Sequence, residues 1–329
     1  MVKTSEVYSK LYHYTSWDGL IGILDSHSLW ATHYKFLNDS SEGVLFKEEL
    51  FKLLKPKCIE IINDLQKKFP DRIKDFNELG NLVDIAEHDT RAFINAQYTV
   101  AAKEFYITSF CGIHKENPYI NENGLLSQWR GYGADGGVAI VFDTKALEEL
   151  NEKEFNRFEY LYISAANVIY SNQEDELKNE FSDSLSSLTE HMKRVFNAIV
   201  YDEFEDLDSD GGALTGFLNC ITRYKHQGFS EENEVRLVTI PAAIDDKIAV
   251  EIKRESNVVL KPEKERKFRS RKGEHIPYIE LFDSPDITLP IERIIVGPHK
   301  EKENRAQALR IMLRNKNIQV TTSDIPYVG

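Results

Sequence analysis

Cysteine and methionine are equally scarce in this chain of 329 residues, and no long apolar run occurs. The three cysteines, Cys58, Cys111 and Cys220, are odd in number and lie far apart at spacings that no metal or disulfide framework uses. They are expected as reduced thiols of a cytoplasmic protein. No segment reaches the ~20 apolar residues that a membrane-spanning helix needs, and the opening MVKTSEVYSK lacks a signal-peptide core. A membrane partner is therefore not expected. Positive charge is in deficit as well: 41 Lys and Arg against 54 Asp and Glu give a net charge of -13, which excludes generic attraction to nucleic acid or anionic lipid. Linkers rich in Gly, Ser or Pro and internal repeats are also missing, so the expectation is one domain over residues 1–329.

What is present is organised around LYHYTSWDGLIGILDSHSLWAT, Leu11 to Thr32. An apolar run ends in His13-Tyr14-Thr15, a helical spacing follows through Leu20, Ile23 and Leu24, and a β-prone run returns at Leu29. Ser16 stands where an N-cap belongs, Asp18 meets the helix dipole in the first turn, and the polar Asp25 to Ser28 supplies the stop. The pattern predicts strand, helix and strand, with the His-Tyr-Thr triplet at the end of a buried strand.

After a turn at Asn38-Asp39-Ser40-Ser41, helical periodicity runs from Glu42 to about Phe69, with Pro56 expected to divide it into two helices. Charged helix-prone sequence continues to residue 104, and a second such region spans 173–224. These read as two helical insertions, approximately 42–104 and 173–224. The DLDSDGGALT segment near the end of the second lacks the ligand spacing and closing Glu of a calcium loop. No metal motif is recognised elsewhere.

Strand-type sequence reappears at Glu104 to Cys111. In LLSQWRGYGADGGVAIVFD, a helical turn at Ser127 to Arg130 leads through Gly131, Gly133, Gly136 and Gly137 into a strand, Val138 to Phe142. That turn fits neither a Walker nor a Rossmann fingerprint and is expected to be a ligand loop. Residues 144–158 read as a helix and Ala166 to Tyr170 as a short strand. A loop, KHQGFSEEN, then delivers Glu231, Glu232 and Glu234 to a strand from Val235 to Ile240, where alternation places Glu232, Glu234 and Arg236 on one face. Carboxylates on an inward face require a ligand or a cation as partner. The tail holds strand-like runs at Ile248 to Ile252, Val258 to Leu260, Ile276 to Leu281 and Ile287 to Val296, then a helix and a last strand. Between them lies a basic segment, Lys261 to Lys272, suited to a phosphate or to RNA.

The opening triplet with its strand, helix and strand resembles the start of ADP-ribosyltransferases. HYTS, LWAT, FLND, SQWRGYG with VAIVFD, GFSEENEVRLV and IERIIVGP, taken in order, resemble the bacterial domain of unknown function family 2971, whose members look distantly similar to those transferases. The resemblance implies an α+β fold, an ADP-ribosyltransferase-like split antiparallel or mixed sheet with helical insertions. It implies NAD as substrate, transfer of ADP-ribose or hydrolysis of NAD, and a bacterial toxin or phage-defence role. It places His13 on the adenosine ribose, with Tyr14 and Thr15 at the nicotinamide end. Glu234 would stabilise the oxocarbenium-like state and Glu232 would orient the nucleophile. The pyridinium calls for an aromatic face, for which Tyr14, Tyr34, Trp129 and Tyr132 are candidates. Arg130, and after it Arg269 or Arg271, would pair with the diphosphate. Two departures stand out: Tyr14 replaces a small residue, and SQWRGYG occupies the interval of the family's central Tyr or Ser-Thr-Ser element.

The acceptor of ADP-ribose, whether protein, RNA or DNA, is not named by the sequence. Three alternatives stand beside transfer. One is a catalytically silent nucleotide-binding sensor on the same fold. Another is an RNA 2'-phosphotransferase-like enzyme using His13, Arg130 and the basic segment. The last is a metal hydrolase built on His13, His33, Asp39 and Glu234.

Overall fold

The computed structural model describes residues 3–37, 42–70, 81–101, 104–133, 135–171, 178–201, 212–242, 261–271 and 273–326. The turn expected at Asn38 to Ser41 and the strands expected at 248–252 and 258–260 lie outside the described residues. The chain divides into two compact units: Met1–Leu37, Phe105–Val168 and Gly228–Gly329 make the first, Asn38–Glu104 and Ile169–Gln227 the second. The two stretches read as helical insertions, 42–104 and 173–224, fall within the second unit.

The first unit is α+β, with a ten-stranded mixed sheet. Along one path the order is β12 (Gln319–Thr322), β11 (Ile291–Val296), β4 (Val138–Asp143), β1 (Lys10–Thr15), β3 (Tyr106–Gly112), β2 (Leu29–His33), β10 (Glu274–Leu281) and β9 (Lys267–Arg271). The other edge of β3 carries β8 (Glu234–Pro241), and β8 carries β5 (Tyr160–Asn167). Every pairing is antiparallel except β11 with β12. Apolar residues on alternate positions separate into two cores. Leu11, Phe110, Val235, Leu237 and Ile140 belong to one, into which the helix Trp17–Ser26 inserts Leu20, Ile23 and Leu24. Tyr12, Tyr14, Cys111, Ala139 and Val141 belong to the other, with Leu125 and Trp129.

The opening stretch folds as its residues dictate. Ser16 Oγ accepts from the Gly19 N–H at 3.1 Å and so caps the helix Trp17–Ser26, which ends at His27 in the left-handed region with φ 54°. The segment read as one strand from Ala166 to Tyr170 instead breaks at Val168. Val168 N donates to Glu234 O, whereas Ile169 N donates to Arg223 O, so β5 ends and a separate strand, β6 (Ile169–Tyr170), begins.

The second unit has helices Glu42–Lys68, Leu82–Ala101, Ser182–Tyr201 and Gly212–Ile221, and a parallel pair made by β6 and β7 (Tyr224–Lys225). Pro56 does not split the first of these: Glu42–Lys68 is one helix. A mid-helix proline costs ~3 kcal/mol through its lost N–H and its clash with the preceding turn. Here Leu50, Leu54, Cys58, Ile61 and Leu65 form one buried stripe on both sides of it, and that packing offsets the cost. All three cysteines are buried, and none of them forms a disulfide. Among the described residues, no helix is long and apolar enough to cross a membrane.

Candidate functional site

Strand β3 does something local sequence patterns do not announce: one of its edges is shared by two strands laid end to end. β1 pairs with it through Leu11↔Gly112 and Tyr12↔Cys111, and β2 through Thr32↔Ile107 and His33↔Tyr106. Between these pairings β1 and β2 diverge, leaving a seam along Thr108 to Phe110. Side chains answer the backbone groups that the ladder abandons there. His13 Nδ1 lies 2.9 Å from the Ser109 carbonyl, and Thr108 Oγ1 donates to Trp30 O at 3.2 Å.

A carbonyl can only accept, so His13 Nδ1 carries the proton and Nε2 keeps its lone pair. Nε2 has no partner among the described residues. Burial lowers the His13 pKa below the ordinary value; the Ser109 hydrogen bond acts in the opposite direction, and the Arg269 guanidinium lowers it again. The seam thus holds a neutral imidazole with a free acceptor. Because protonation is easier in the unfolded chain, this histidine's contribution to stability is complete above about pH 6.5 and declines as pH falls below that value. Nitrogen-15 NMR of the imidazole should show the Nδ1–H tautomer at pH 7 and a ring still mainly neutral at about pH 6.5; half-protonation at that pH would contradict the assignment.

The strand register separates the other candidates from His13. The His13 ring is 5.7 Å from that of Phe110, on the Leu11 face of the sheet. Tyr12, Cys111 and Glu234 occupy successive cross-strand positions on the opposite face. Tyr14 lies on this second face, where its hydroxyl accepts from Leu125 N at 2.8 Å and its ring meets Trp129 edge-on at 4.9 Å. Burial raises its pKa well above the ordinary value. Trp129 is a core residue whose Nε1 donates to Asn123 O at 3.0 Å. Neither ring offers a face to a ligand.

Glu234 begins β8, buried, and both its oxygens are engaged: Arg236 Nε donates to Oε1 at 2.9 Å and Nη2 to Oε2 at 3.1 Å. The cation that an inward carboxylate requires is therefore two residues along the same strand. Glu232 does not extend the strand. It closes the 3-10 turn Gln227–Glu232, half-buried. Thr15 is placed by its crowding against Gly19 and Gly137. Tyr34 stacks on Phe105 with centroids 3.9 Å apart. Arg130 and Tyr132, in the helix Leu126–Tyr132, are exposed.

The glycine turn expected as a ligand loop is a packing element. A Cβ on Gly137 would sit 2.4 Å from Thr15 O, and one on Gly297 would sit 2.8 Å from Gly137 O. Three strand ends meet there with no room for side chains. Trp17 Nε1 donates to Gly136 O at 2.9 Å, and Arg305 binds both the carbonyl and the carboxylate of Asp135.

The basic segment is likewise tied into the fold rather than free. Lys264 is buried against Glu154 and Asp283, Lys267 pairs with Glu280 at 2.7 Å, and Arg271 donates to Phe36 O at 2.6 Å. Lys272 lies outside the described residues. Arg269, from β9, donates through Nη2 to Thr32 Oγ1 at 2.9 Å, beside Trp30 and Tyr278. Burial, then Arg271, lowers its pKa. Trp30, Thr32 and Tyr278 carried no chemical motif; only the pairing of β2 with β10 brings them to Arg269.

A family model described as Protein of unknown function (DUF2971) matches residues 128–237. The match covers about a third of the chain. It takes in Trp129, the glycine turn, Glu232 and Glu234, and leaves β1 with His13 outside. No curated protein and no solved structure matches the chain.

Proposed function

We propose that this protein binds an NAD-type nucleotide at the seam between β1 and β2, with His13 Nε2 accepting from a ribose hydroxyl. One observation carries the reading: a neutral imidazole, fixed in tautomer by the Ser109 carbonyl, holds an unshared lone pair where the sheet divides. An ADP-ribosyltransferase-like fold fits this arrangement. Supporting it are a first strand ending in His-Tyr-Thr, a short helix leading to a second strand on the same edge of β3, and a late strand carrying Glu234.

The geometry favours a ligand that is held over one that is cleaved. Glu234 faces away from His13, and Arg236 occupies both its oxygens. Transfer of ADP-ribose, or hydrolysis of NAD, is the second reading, favoured by the position of Glu232 and Glu234 at the head of the strand beside β3.

Calorimetric titration with NAD, followed by mass spectrometry of the same mixture for nicotinamide, tests both. Expected are binding by the wild type, at least tenfold weaker binding by His13→Ala, and no release of nicotinamide. Release of nicotinamide by the wild type without RNA would establish the second reading, and release that requires added RNA bearing a 2'-phosphate would establish a phosphotransferase-like enzyme. Absence of NAD binding would end the first.

A further inference from the structure

The far side of the seam contains a cation without a counter-ion. Arg269 has no carboxylate partner among the described residues, in a chain with 54 acidic side chains. Its Nη2 is used on Thr32, and its Cζ lies 5.2 Å from the Trp30 ring and 5.7 Å from the Tyr278 ring. Its Nε is buried with no acceptor, and so is Trp30 Nε1. Leaving such donors unmet costs ~1–3 kcal/mol each, more for a charged group. Two such donors therefore sit on neighbouring side chains, one of them charged.

The nearby charges point one way. Glu280 is committed to Lys267 at 2.7 Å, and Arg271, whose Nη2 bonds to Phe36 O, adds positive potential beside Arg269. The rings of Trp30 and Tyr278, their centroids 4.9 Å apart, both lie within cation–π range of the guanidinium. A planar fork with an adjacent indole N–H suits an oxyanion with several acceptor oxygens.

We infer that Arg269 and Trp30 form a phosphate subsite, in which Arg269 Nε and Trp30 Nε1 donate to oxygens of one phosphoryl group. The inference rests on the nucleotide reading only in placing this subsite on the same seam as His13. The phosphate belongs either to a nucleotide or to a free polyphosphate, and the chemistry at the two side chains is the same.

The test titrates the full chain with inorganic pyrophosphate and with ADP, following heat and tryptophan fluorescence. Arg269→Lys keeps the charge and removes the fork; Trp30→Phe keeps an aromatic ring and removes the donor. Each should weaken pyrophosphate binding at least tenfold, and Trp30→Phe should leave the melting temperature unchanged or raised, since it removes an idle donor. Wild-type protein that binds no pyrophosphate, or unchanged affinity in both variants, overturns the inference. ADP binding tighter than pyrophosphate assigns the phosphate to a nucleotide, and the reverse order assigns it to a free polyphosphate. If NAD binding depends on His13 but pyrophosphate binding ignores both substitutions, the subsite fails and the nucleotide reading stands. If pyrophosphate binds through Arg269 and NAD does not bind, the nucleotide reading fails and the subsite stands.

Discussion

Replacing Glu234 with Gln should destabilise the first unit by about 3–5 kcal/mol, because it takes the bidentate carboxylate away from a buried guanidinium. Glu234 and Arg236 are each 5% exposed, so water does not take the place of the lost carboxylate. The loss should appear as faster hydrogen exchange of the β8 amides, a readout that does not require both units to unfold together. Removing both charges should cost less than removing one: Glu234→Gln with Arg236→Met should recover part of the lost protection, since no buried charge then faces the neutral amide. If Glu234→Gln instead left β8 protection intact, the carboxylate would be free of a structural duty and the catalytic reading would gain. The double-mutant comparison matters because loss of activity in Glu234→Gln alone would not separate chemistry from folding.

A comparable loss, again about 3–5 kcal/mol, is expected for Glu154→Leu, where three donors depend on one fully buried carboxylate. Glu154 Oε1 accepts from Tyr160 Oη and Lys264 Nζ, both at 2.7 Å, and Oε2 accepts from Phe282 N at 3.0 Å. Burial and the neighbouring carboxylate push the Tyr160 pKa far up, so its phenol remains a donor at every physiological pH. Phe282 adopts φ 66°, a left-handed conformation that a phenylalanine rarely takes, and its N–H is the group that Glu154 holds. Lys264→Met should cost less, because it leaves Glu154 with two of its donors and Asp283 with Arg157 nearby at 3.7 Å. The expected order in exchange protection of β5 and β10 is wild type, then Lys264→Met, then Glu154→Leu. Equal effects would mean that the ion pair, and not the carboxylate's three-way role, holds this corner.

The order of elements was readable because each announces itself within a few residues. Ser16 as N-cap, the stop at His27, the change of period at Tyr106 and the apolar run at Val138 all depend on neighbours in sequence. Partner choice does not. Nothing in YITSFCG says that one edge of β3 will serve two strands, yet that division creates the seam and positions His13. The pattern at Glu232 to Arg236 puts Glu232, Glu234 and Arg236 on one strand face and asks for a ligand or a cation as partner; Glu234 and Arg236 do share that face and pair with each other, while Glu232 belongs to the preceding turn. Reading the glycine turn as a ligand loop failed for a different reason. Glycine permits close approach by a ligand or by backbone, and only the meeting of Thr15, Gly137 and Gly297 shows which applies. Pro56 misled because propensity is a local cost that a long packed stripe can override.

The pairing of Leu29 with Leu281 has a temporal meaning as well. A ribosome adding ~5–20 residues per second needs roughly 12–50 s to make the intervening chain. Throughout that interval β2 exists without β10, and the half of the sheet bearing Trp30 and Thr32 cannot close. Arg269 reaches them only after that delay, so the nascent chain acquires the His13 side of the seam's sequence well before the guanidinium side.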